Sequence, residues 1–271
     1  MVMAPVPYFG GKQIHTHWIL PVLEQYPHVR YVEPFGGGGS ILLSRDPGFD
    51  VYNDIYSDIV NFYRVLQDAD TFAELTPYAK ECFEDAKREV SNETDPVKRA
   101  VRWFVVARMS FGGKQSSTSG WKHSVKESRR GVSQCVSSWL TALENLPEVH
   151  ERLKTVQIEN MDAVELVRKY AGDDTLFYLD PPYPMDTRKS GKYHHEFDDE
   201  QHRELVKVLL EIPGHKVVSS YESEIYSPLL DSGWTIYRKE VVCNITANLS
   251  KETRNRVECL YCSPIPNNLL F

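Results

Sequence analysis

Tyr31-Val32-Glu33 runs into Pro34-Phe35 and four successive glycines, Gly36 to Gly39, after which Ser40-Ile41-Leu42-Leu43-Ser44 reads as the start of a helix. A strand, a glycine turn and a helix in direct succession is the opening of an α/β unit. A second strand, Asp50-Val51-Tyr52, ends at Asn53-Asp54, and Ile59, Phe62, Tyr63 and Leu66 then recur at helical spacing. The same rhythm returns after residue 155. Strand Val156-Gln157-Ile158, a helix from Ala163 to Tyr170, the apolar strand Thr175-Leu176-Phe177-Tyr178-Leu179, a helix from Asp199 to Glu211 and a strand from Lys216 to Ser219 follow in order. Thr235–Val242 and Arg256–Cys262 can pair as a terminal ribbon. The expected class is α/β, built on a mainly parallel sheet.

Between residues 61 and 154 the texture changes to helices: one from Tyr78 to Val90, one opening at Asp95-Pro96, one from Val136 to Leu146. Asp as cap with Pro at the first helical position marks the second start. Ser110 to Gln134, rich in Gly, Ser, Lys and Arg, reads as a long exposed loop, and such loops are usually functional or disordered. The expected division is a discontinuous α/β domain, 1–60 with 155–271, interrupted by a helical insertion, 61–154.

The chain carries a net charge of −7, which is adverse for contact with phosphates, yet the charge is unevenly spread. Between Lys98 and Arg130 nine basic residues face one acid, Glu127, so this stretch is +8 and the remainder −15. Arg108, Lys114, Lys122, Lys126, Arg129 and Arg130 are the candidates for gripping a nucleic-acid backbone, with a merely solvated face as the alternative.

Five cysteines, at 82, 135, 243, 259 and 262, are odd in number and scattered, which argues against a disulfide framework. Cys259 and Cys262 are three apart in a strand-like run and so point to opposite faces, and no second ligand pair completes four; no metal is expected. The chain shows no pattern of a cleavable leader and no bilayer-length apolar run, so a cytoplasmic protein, acting in a bacterial cell or as a phage protein within one, is expected.

Ligands of an open parallel sheet bind outside the carboxyl ends of its strands. Both the glycine turn and Asp180-Pro181-Pro182-Tyr183 fall there. Glycines admit close backbone approach, and Asp54, sixteen residues after Gly38, is placed to hold ribose hydroxyls, so an adenosine-containing cofactor is implied. The spacing fits a dinucleotide fingerprint poorly, because Ile41 stands where the third glycine belongs, and no Gly-Lys-Ser/Thr makes a phosphate loop. A bare tight turn stays open as the alternative.

The Asp-Pro-Pro-Tyr run is more specific, with a plain strand-to-loop turn as the alternative. Chance gives such a pattern on the order of one time in a hundred in a chain of this size. An exocyclic aryl amine is a poor nucleophile whose lone pair is delocalised into its ring, and two acceptors must take its two N–H bonds. The Asp180 carboxylate and the Pro181 carbonyl, stiffened by consecutive prolines, can do this and oppose the positive charge developing on nitrogen. Tyr183 offers a face for the base, which must leave the duplex to reach it.

At this point the sequence resembles the Dam-like, D12 class, N6-adenine DNA methyltransferases of the alpha group, over nearly the whole chain. Tyr8-Phe9-Gly10-Gly11-Lys12 is similar to the family's N-terminal cofactor motif, Glu33-Pro34-Phe35-Gly36-Gly37-Gly38-Gly39-Ser40 to its glycine motif, Asn53-Asp54-Ile55 to its ribose-binding acid, and Asp180-Pro181-Pro182-Tyr183 to its catalytic motif. The resemblance implies a Rossmann-like S-adenosylmethionine-dependent methyltransferase fold with an inserted target-recognition domain. It assigns cofactor contacts to Tyr8, Lys12, Glu33, Pro34, Phe35, Gly36, Gly38, Ser40, Asp54, Ile55, Asp162 and Asp180.

Phe197 is placed by the same resemblance near the flipped base. A helix cap and a core aromatic are the alternatives for Asp162 and Phe197. S-adenosylhomocysteine would be the product, double-stranded DNA the partner, with a cognate restriction nuclease as a second partner and a monomer as the working state.

Arg108-Met109-Ser110-Phe111-Gly112-Gly113 is similar to the entry to the family's recognition segment, but Lys114-Gln115-Ser116-Ser117-Thr118-Ser119-Gly120-Trp121-Lys122 departs from the GATC-methylating pattern. Lys114, Gln115 and Trp121 are the candidates for entering a groove or filling the gap left by the base, with an exposed linker as the alternative. Asp180 favours adenine, since N4-cytosine enzymes more often carry Ser and RNA or protein-glutamine enzymes Asn at that position. A DNA-binding module without catalysis is the third reading.

Overall fold

The computed structural model describes residues 2–68, 70, 83–110, 134–187, 194–242 and 255–265. Along the chain run α1 (Thr16–Leu23), β1 (Arg30–Glu33), α2 (Ser40–Ser44), β2 (Phe49–Asn53), α3 (Ser57–Gln67), α4 (Phe83–Glu89), α5 (Pro96–Met109), α6 (Gln134–Leu153), β3 (Val156–Glu159), α7 (Ala163–Lys169), β4 (Thr175–Leu179), α8 (Asp199–Glu211), β5 (His215–Tyr221), α9 (Ser227–Asp231), β6 (Thr235–Val242) and β7 (Asn255–Cys262). The strands form a seven-stranded sheet in the order β3-β2-β1-β4-β5-β7-β6. The order reverses between β1 and β4, and such a switch point is where open α/β sheets bind their ligands. The chain divides into two compact units, Met1–Ile19 with Gly36–Asn160, and Leu20–Phe35 with Met161–Phe271.

In the first unit β2 and β3 pair in parallel, from Asp50 opposite Val156 to Asn53 opposite Glu159. Helix α3 buries Ile59, Phe62, Tyr63 and Leu66, the apolar stripe read from the sequence, and packs on α5 and α6. Phe62 stacks on Phe104 with ring centroids 5.2 Å apart, and Trp103 donates from its indole to the Tyr56 hydroxyl at 3.2 Å. Helix α5 starts where the Asp-Pro pair predicts: the Asp95 carboxylate accepts from the backbone N–H groups of Val97 and Lys98. Such a cap contributes about 1 kcal/mol.

Helix α6 runs further than expected. The sequence predicts an end at Leu146, before Pro147, yet the helix continues through Pro147 to Leu153. An interior proline costs about 3 kcal/mol. The last turn offsets this with Val149 and Leu153 in the core, a bond between the His150 ring and the Leu66 carbonyl at 2.5 Å, and a buried Arg152–Asp50 pair.

The second unit contains the parallel trio β1, β4 and β5 and the antiparallel ribbon of β6 and β7 joined to β5. All five residues of β4 are buried, as its unbroken apolar run requires. The ribbon pairs Thr235 with Cys262 through Val242 with Asn255, matching the expected terminal pair. Helix α8 opens on a capping box, in which the Asp198 carboxylate accepts from the N–H of Gln201 and the Gln201 side chain accepts from the N–H of Asp198. Cys259 and Cys262 are buried thiols on opposite faces of β7, and burial pushes their pKa values up to about 11 and about 12. Among the described residues no helix is long and apolar enough to cross a membrane, and no group of three His, Cys, Asp or Glu is arranged to hold a metal ion.

Candidate active site

The first unit brings together three of the motifs read from the sequence. Gly36 to Gly39 turn between β1 and α2 with Gly37 and Gly39 in the left-handed region, at φ 46° and 64°. Asp54, 8% exposed at the end of β2, accepts from the N–H of Gly37 through one carboxylate oxygen and from the N–H of Tyr56 through the other, both at 2.8 Å. Tyr8 lies against the turn, so a Cβ on Gly37 or Gly38 would come within 3.0 Å of it. Lys12 is buried and donates to the Gly10 carbonyl at 3.1 Å, Ser40 is buried at the start of α2, and Ile55 stands 49% exposed just beyond Asp54.

Three residues of this cluster are not legible as site residues in the sequence. Tyr52 donates to the Gly37 carbonyl at 2.7 Å and Tyr63 to the Gly38 carbonyl at 2.8 Å, so two phenols hold the turn from beneath. Asn160, at the end of β3, donates to the Asp54 carbonyl at 2.7 Å and latches the loop that carries Asp54. The two tyrosines lie in apolar runs and read as core; nothing in periodicity distinguishes a phenol that packs from one that also bonds. A Cβ on Gly36 would fall 2.2 Å from the buried Tyr52 ring. Gly36→Ala is therefore expected to destabilise by about 1–3 kcal/mol through overpacking. Thermal denaturation checks this, and an unchanged Tm would show that the ring can move aside.

The second unit holds the Asp-Pro-Pro-Tyr loop at the carboxyl end of β4, beside β1, whose Val32 is in register with Phe177. Asp180 is half-buried, while Pro181 and Tyr183 are buried. Glu33, 3% exposed, accepts from the Tyr31 hydroxyl at 2.6 Å. Tyr178, buried on β4, has its pKa raised well above the usual phenol range, first by burial and then by the charge of Asp180, with Glu258 and Glu33 contributing.

The loop is gripped at two further points. The Pro182 carbonyl lies 3.0 Å from Nε2 of His202 on α8, and Nδ1 of His202 lies 2.8 Å from the Tyr226 hydroxyl. A carbonyl can only accept, so Nε2 carries the proton; in the neutral ring Nδ1 then accepts from Tyr226. Tyr183 donates to Glu258 of β7, as does Ser219 of β5 at 2.9 Å, and its ring meets Tyr221 edge-on with centroids 4.6 Å apart. Sequence reasoning does not single out His202, Ser219 or Glu258. Glu258 does leave a signal, an acid directly before the apolar strand run Cys259-Leu260-Tyr261-Cys262.

Phe35 and Phe197, assigned separately to cofactor and DNA, meet edge to face at 5.3 Å; Phe197 is 6% exposed and also packs on His202. Pro34 is buried at the end of β1. Asp162 caps α7, accepting from the N–H groups of Val164 and Glu165. These geometries match the packing and capping alternatives for Phe197 and Asp162.

Arg108 donates to the Ser138 carbonyl and hydroxyl and to the Pro5 carbonyl, and burial lowers its pKa. Lys114, Gln115, Trp121, Lys122, Lys126, Arg129 and Arg130 lie outside the described residues. Within the basic stretch, Arg99 pairs with Asp58 at 2.6 Å and Arg102 with Glu93 and Glu89. Acids from earlier in the chain thus neutralise part of the +8, which a count along the sequence could not show.

A sheet ordered 3-2-1-4-5 with an antiparallel ribbon at its edge, a glycine turn after β1 and an Asp-Pro-Pro-Tyr loop after β4, defines a Rossmann-like methyltransferase. The chain belongs to the D12 class N6 adenine-specific DNA methyltransferases, whose sequence pattern it matches over residues 8–245. It is thus an enzyme, an adenine-specific DNA methyltransferase. It is similar to the type II methyltransferase M1.LlaDCHI of Lactococcus lactis subsp. cremoris, with 29% identity over 203 residues covering 69% of this chain and 68% of that protein. It is also similar to the type II methyltransferase M.MjaIII of Methanocaldococcus jannaschii, with 25% identity covering 83% and 84%.

Proposed function

We propose that this enzyme transfers a methyl group from S-adenosylmethionine to the N6 amine of an adenine rotated out of duplex DNA, with Asp180-Pro181-Pro182-Tyr183 as the reacting loop. The observation that carries this reading is the loop itself, held at the carboxyl end of β4 at the switch point of the sheet, with its Pro182 carbonyl and Tyr183 hydroxyl both fixed.

Pro182 offers its carbonyl to His202, which leaves the amine to the Asp180 carboxylate and the Pro181 carbonyl. Taking one N–H each, they turn the nitrogen lone pair outward and oppose the positive charge that grows on it. Asp180 would pass the surplus N6 proton of the methylated amine to solvent. Tyr183 presents its ring to the base.

The residues of the first unit fit a nucleoside. A carboxylate has about four acceptor sites, so Asp54, its plane set by two amides, can also receive ribose hydroxyls. Exposed Ile55 suits one face of a flat ring. Tyr8, Lys12, Gly36, Gly38 and Ser40 complete this set, with Glu33, Pro34, Phe35 and Asp162 of the second unit as the remaining cofactor contacts. When bound, the cofactor supplies an electrophilic methyl on a sulfonium and leaves as S-adenosylhomocysteine.

Residues 61–154 carry the recognition function in this proposal. Lys114, Gln115, Trp121, Lys122, Lys126, Arg129 and Arg130 touch DNA, Arg108 braces the base of their segment, and Phe197 packs close to the flipped base. The protein acts as a cytoplasmic monomer, and its likeness to type II methyltransferases favours pairing with a restriction nuclease.

Incubation with methyl-labelled S-adenosylmethionine and unmethylated duplex DNA, followed by digestion to nucleosides, is expected to place the label on N6-methyladenosine. Label on cytosine would refute the choice of base, and label on RNA or protein alone the choice of substrate. Replacing Arg129 and Arg130 together by Gln is expected to weaken DNA binding and to lower the slope of log affinity against log salt by about 0.9 for each phosphate that is no longer neutralised. An unchanged slope removes them from the interface.

A further inference from the structure

We propose that Glu258 is a positioning residue for methyl transfer, acting through the Tyr183 hydroxyl to set the plane in which the target base is received. The inference rests on the reading of Asp180–Tyr183 as the reacting loop.

Glu258 stands at the centre of β7, opposite Tyr221 of β5 on one side and Lys239 of β6 on the other. Directly opposed residues of an antiparallel pair share a face, and alternation adds Ser219 and Leu260 to that face. Glu258, 3% exposed, therefore sits beside Ser219 and Tyr221 beneath the end of the reacting loop. Oε1 of Glu258 accepts from both the Tyr183 and the Ser219 hydroxyls. Each hydroxyl has one proton, so the 3.2 Å approach between Tyr183 and Ser219 follows from their shared acceptor.

A tyrosine ring turns about two bonds. Buried packing alone would leave Tyr183 free to tilt; the hydroxyl anchor at its far end and the edge of Tyr221 at its side remove that freedom. A phenol needed only for stacking could be phenylalanine, whereas here a buried carboxylate, which is costly to desolvate, is devoted to its hydroxyl. On the other face of the sheet Cys259 and Tyr261 alternate with Glu258, and Tyr261 packs on Tyr226, the partner of His202. The loop is thus held from both faces, at Pro182 through His202 and at Tyr183 through Glu258.

The test uses the full-length enzyme with methyl-labelled S-adenosylmethionine and duplex DNA, measuring the single-turnover rate constant, the fraction of active molecules, the dissociation constants for cofactor and DNA, and Tm. Tyr183→Phe and Glu258→Ala are each expected to slow the chemical step by about 10- to 100-fold, as misplacement on the scale of 1 Å does, with both dissociation constants unchanged. Glu258→Gln, whose amide oxygen still accepts, is expected to recover most of the rate. The double variant Tyr183→Phe/Glu258→Ala should be no slower than the slower single one, because the two act as a unit.

Wild-type rate constants in Tyr183→Phe and Glu258→Ala would overturn the inference, and so would a loss confined to Tm and the active fraction. Tyr183→Phe removes only a hydroxyl, so it decides the matter even where Glu258→Ala fails to fold. Asp180→Ala, run alongside, separates the two levels: inactivity there with full activity in the Tyr183 and Glu258 variants defeats positioning alone, while full activity in Asp180→Ala defeats the reacting loop itself.

Discussion

Asp180→Ala is expected to lower the rate of methyl transfer by at least about two to three orders of magnitude while cofactor affinity is largely kept. The magnitude is that of deleting a preorganised electrostatic partner of a developing charge, about 10²–10³ in rate. In the present case the developing charge is positive and the partner is an acceptor. Asp180 follows β4, whose five residues are all buried, so its backbone is fixed by the sheet rather than by a loose loop. Its charge also helps, after burial, to raise the pKa of the buried Tyr178 phenol. Asp180→Asn keeps one acceptor oxygen and loses the charge, and an intermediate rate is expected. Single-turnover transfer of labelled methyl to duplex DNA, beside equilibrium binding of the cofactor, checks both. Full turnover in Asp180→Ala would remove this residue from the chemistry.

Much of this architecture can be read from the chain because its signals are local. The run Thr175–Leu179 and the glycine turn each announce their element within a few residues, and the ends of β4 and β6 fall where alternation and turn residues put them. The start of α5 is legible for the same reason, since Asp95 and Pro96 act on the backbone next to them. Helix α6 shows where local reading fails. The expected helix stops at Leu146, but contacts from His150 to Leu66 and from Arg152 to Leu42 and Asp50, 84 to 110 residues away, carry it past Pro147.

The site divides along the same line. Tyr8, Gly36–Gly39, Asp54 and Asp180–Tyr183 are motifs with their own spacing. Tyr52, Tyr63, Asn160, His202, Ser219 and Glu258 acquire their roles only when strands and helices distant in the chain come together. The charge of the basic stretch is overstated along the sequence for a related reason, because Asp58, Glu89 and Glu93 come before it in the chain and beside it in space.

The pair Arg152–Asp50 gives the largest expected effect on stability, and its sign depends on how it is broken. Both side chains are almost wholly buried, at 3% and 1% exposed, and one Arg152 nitrogen serves both Asp50 and the Leu42 carbonyl. Asp50→Ala leaves a buried guanidinium without its counter-charge, and Arg152→Ala strands a buried carboxylate. Each is expected to cost about 3–5 kcal/mol. Among the described residues, however, Nε and Nη1 of Arg152 and Oδ1 of Asp50 find no hydrogen-bond partner, so the pair recovers only part of its desolvation cost. Replacing both, as Asp50→Leu with Arg152→Met, is therefore expected to be far less harmful than either single change, and neutral or stabilising if the apolar side chains fill the space. Denaturant unfolding of the three variants measures this. A double variant as unstable as the summed single ones would mean that the two side chains are uncoupled, each joining the last turn of α6 to β2 through contacts of its own, and that a stranded partner charge is not the source of the single losses.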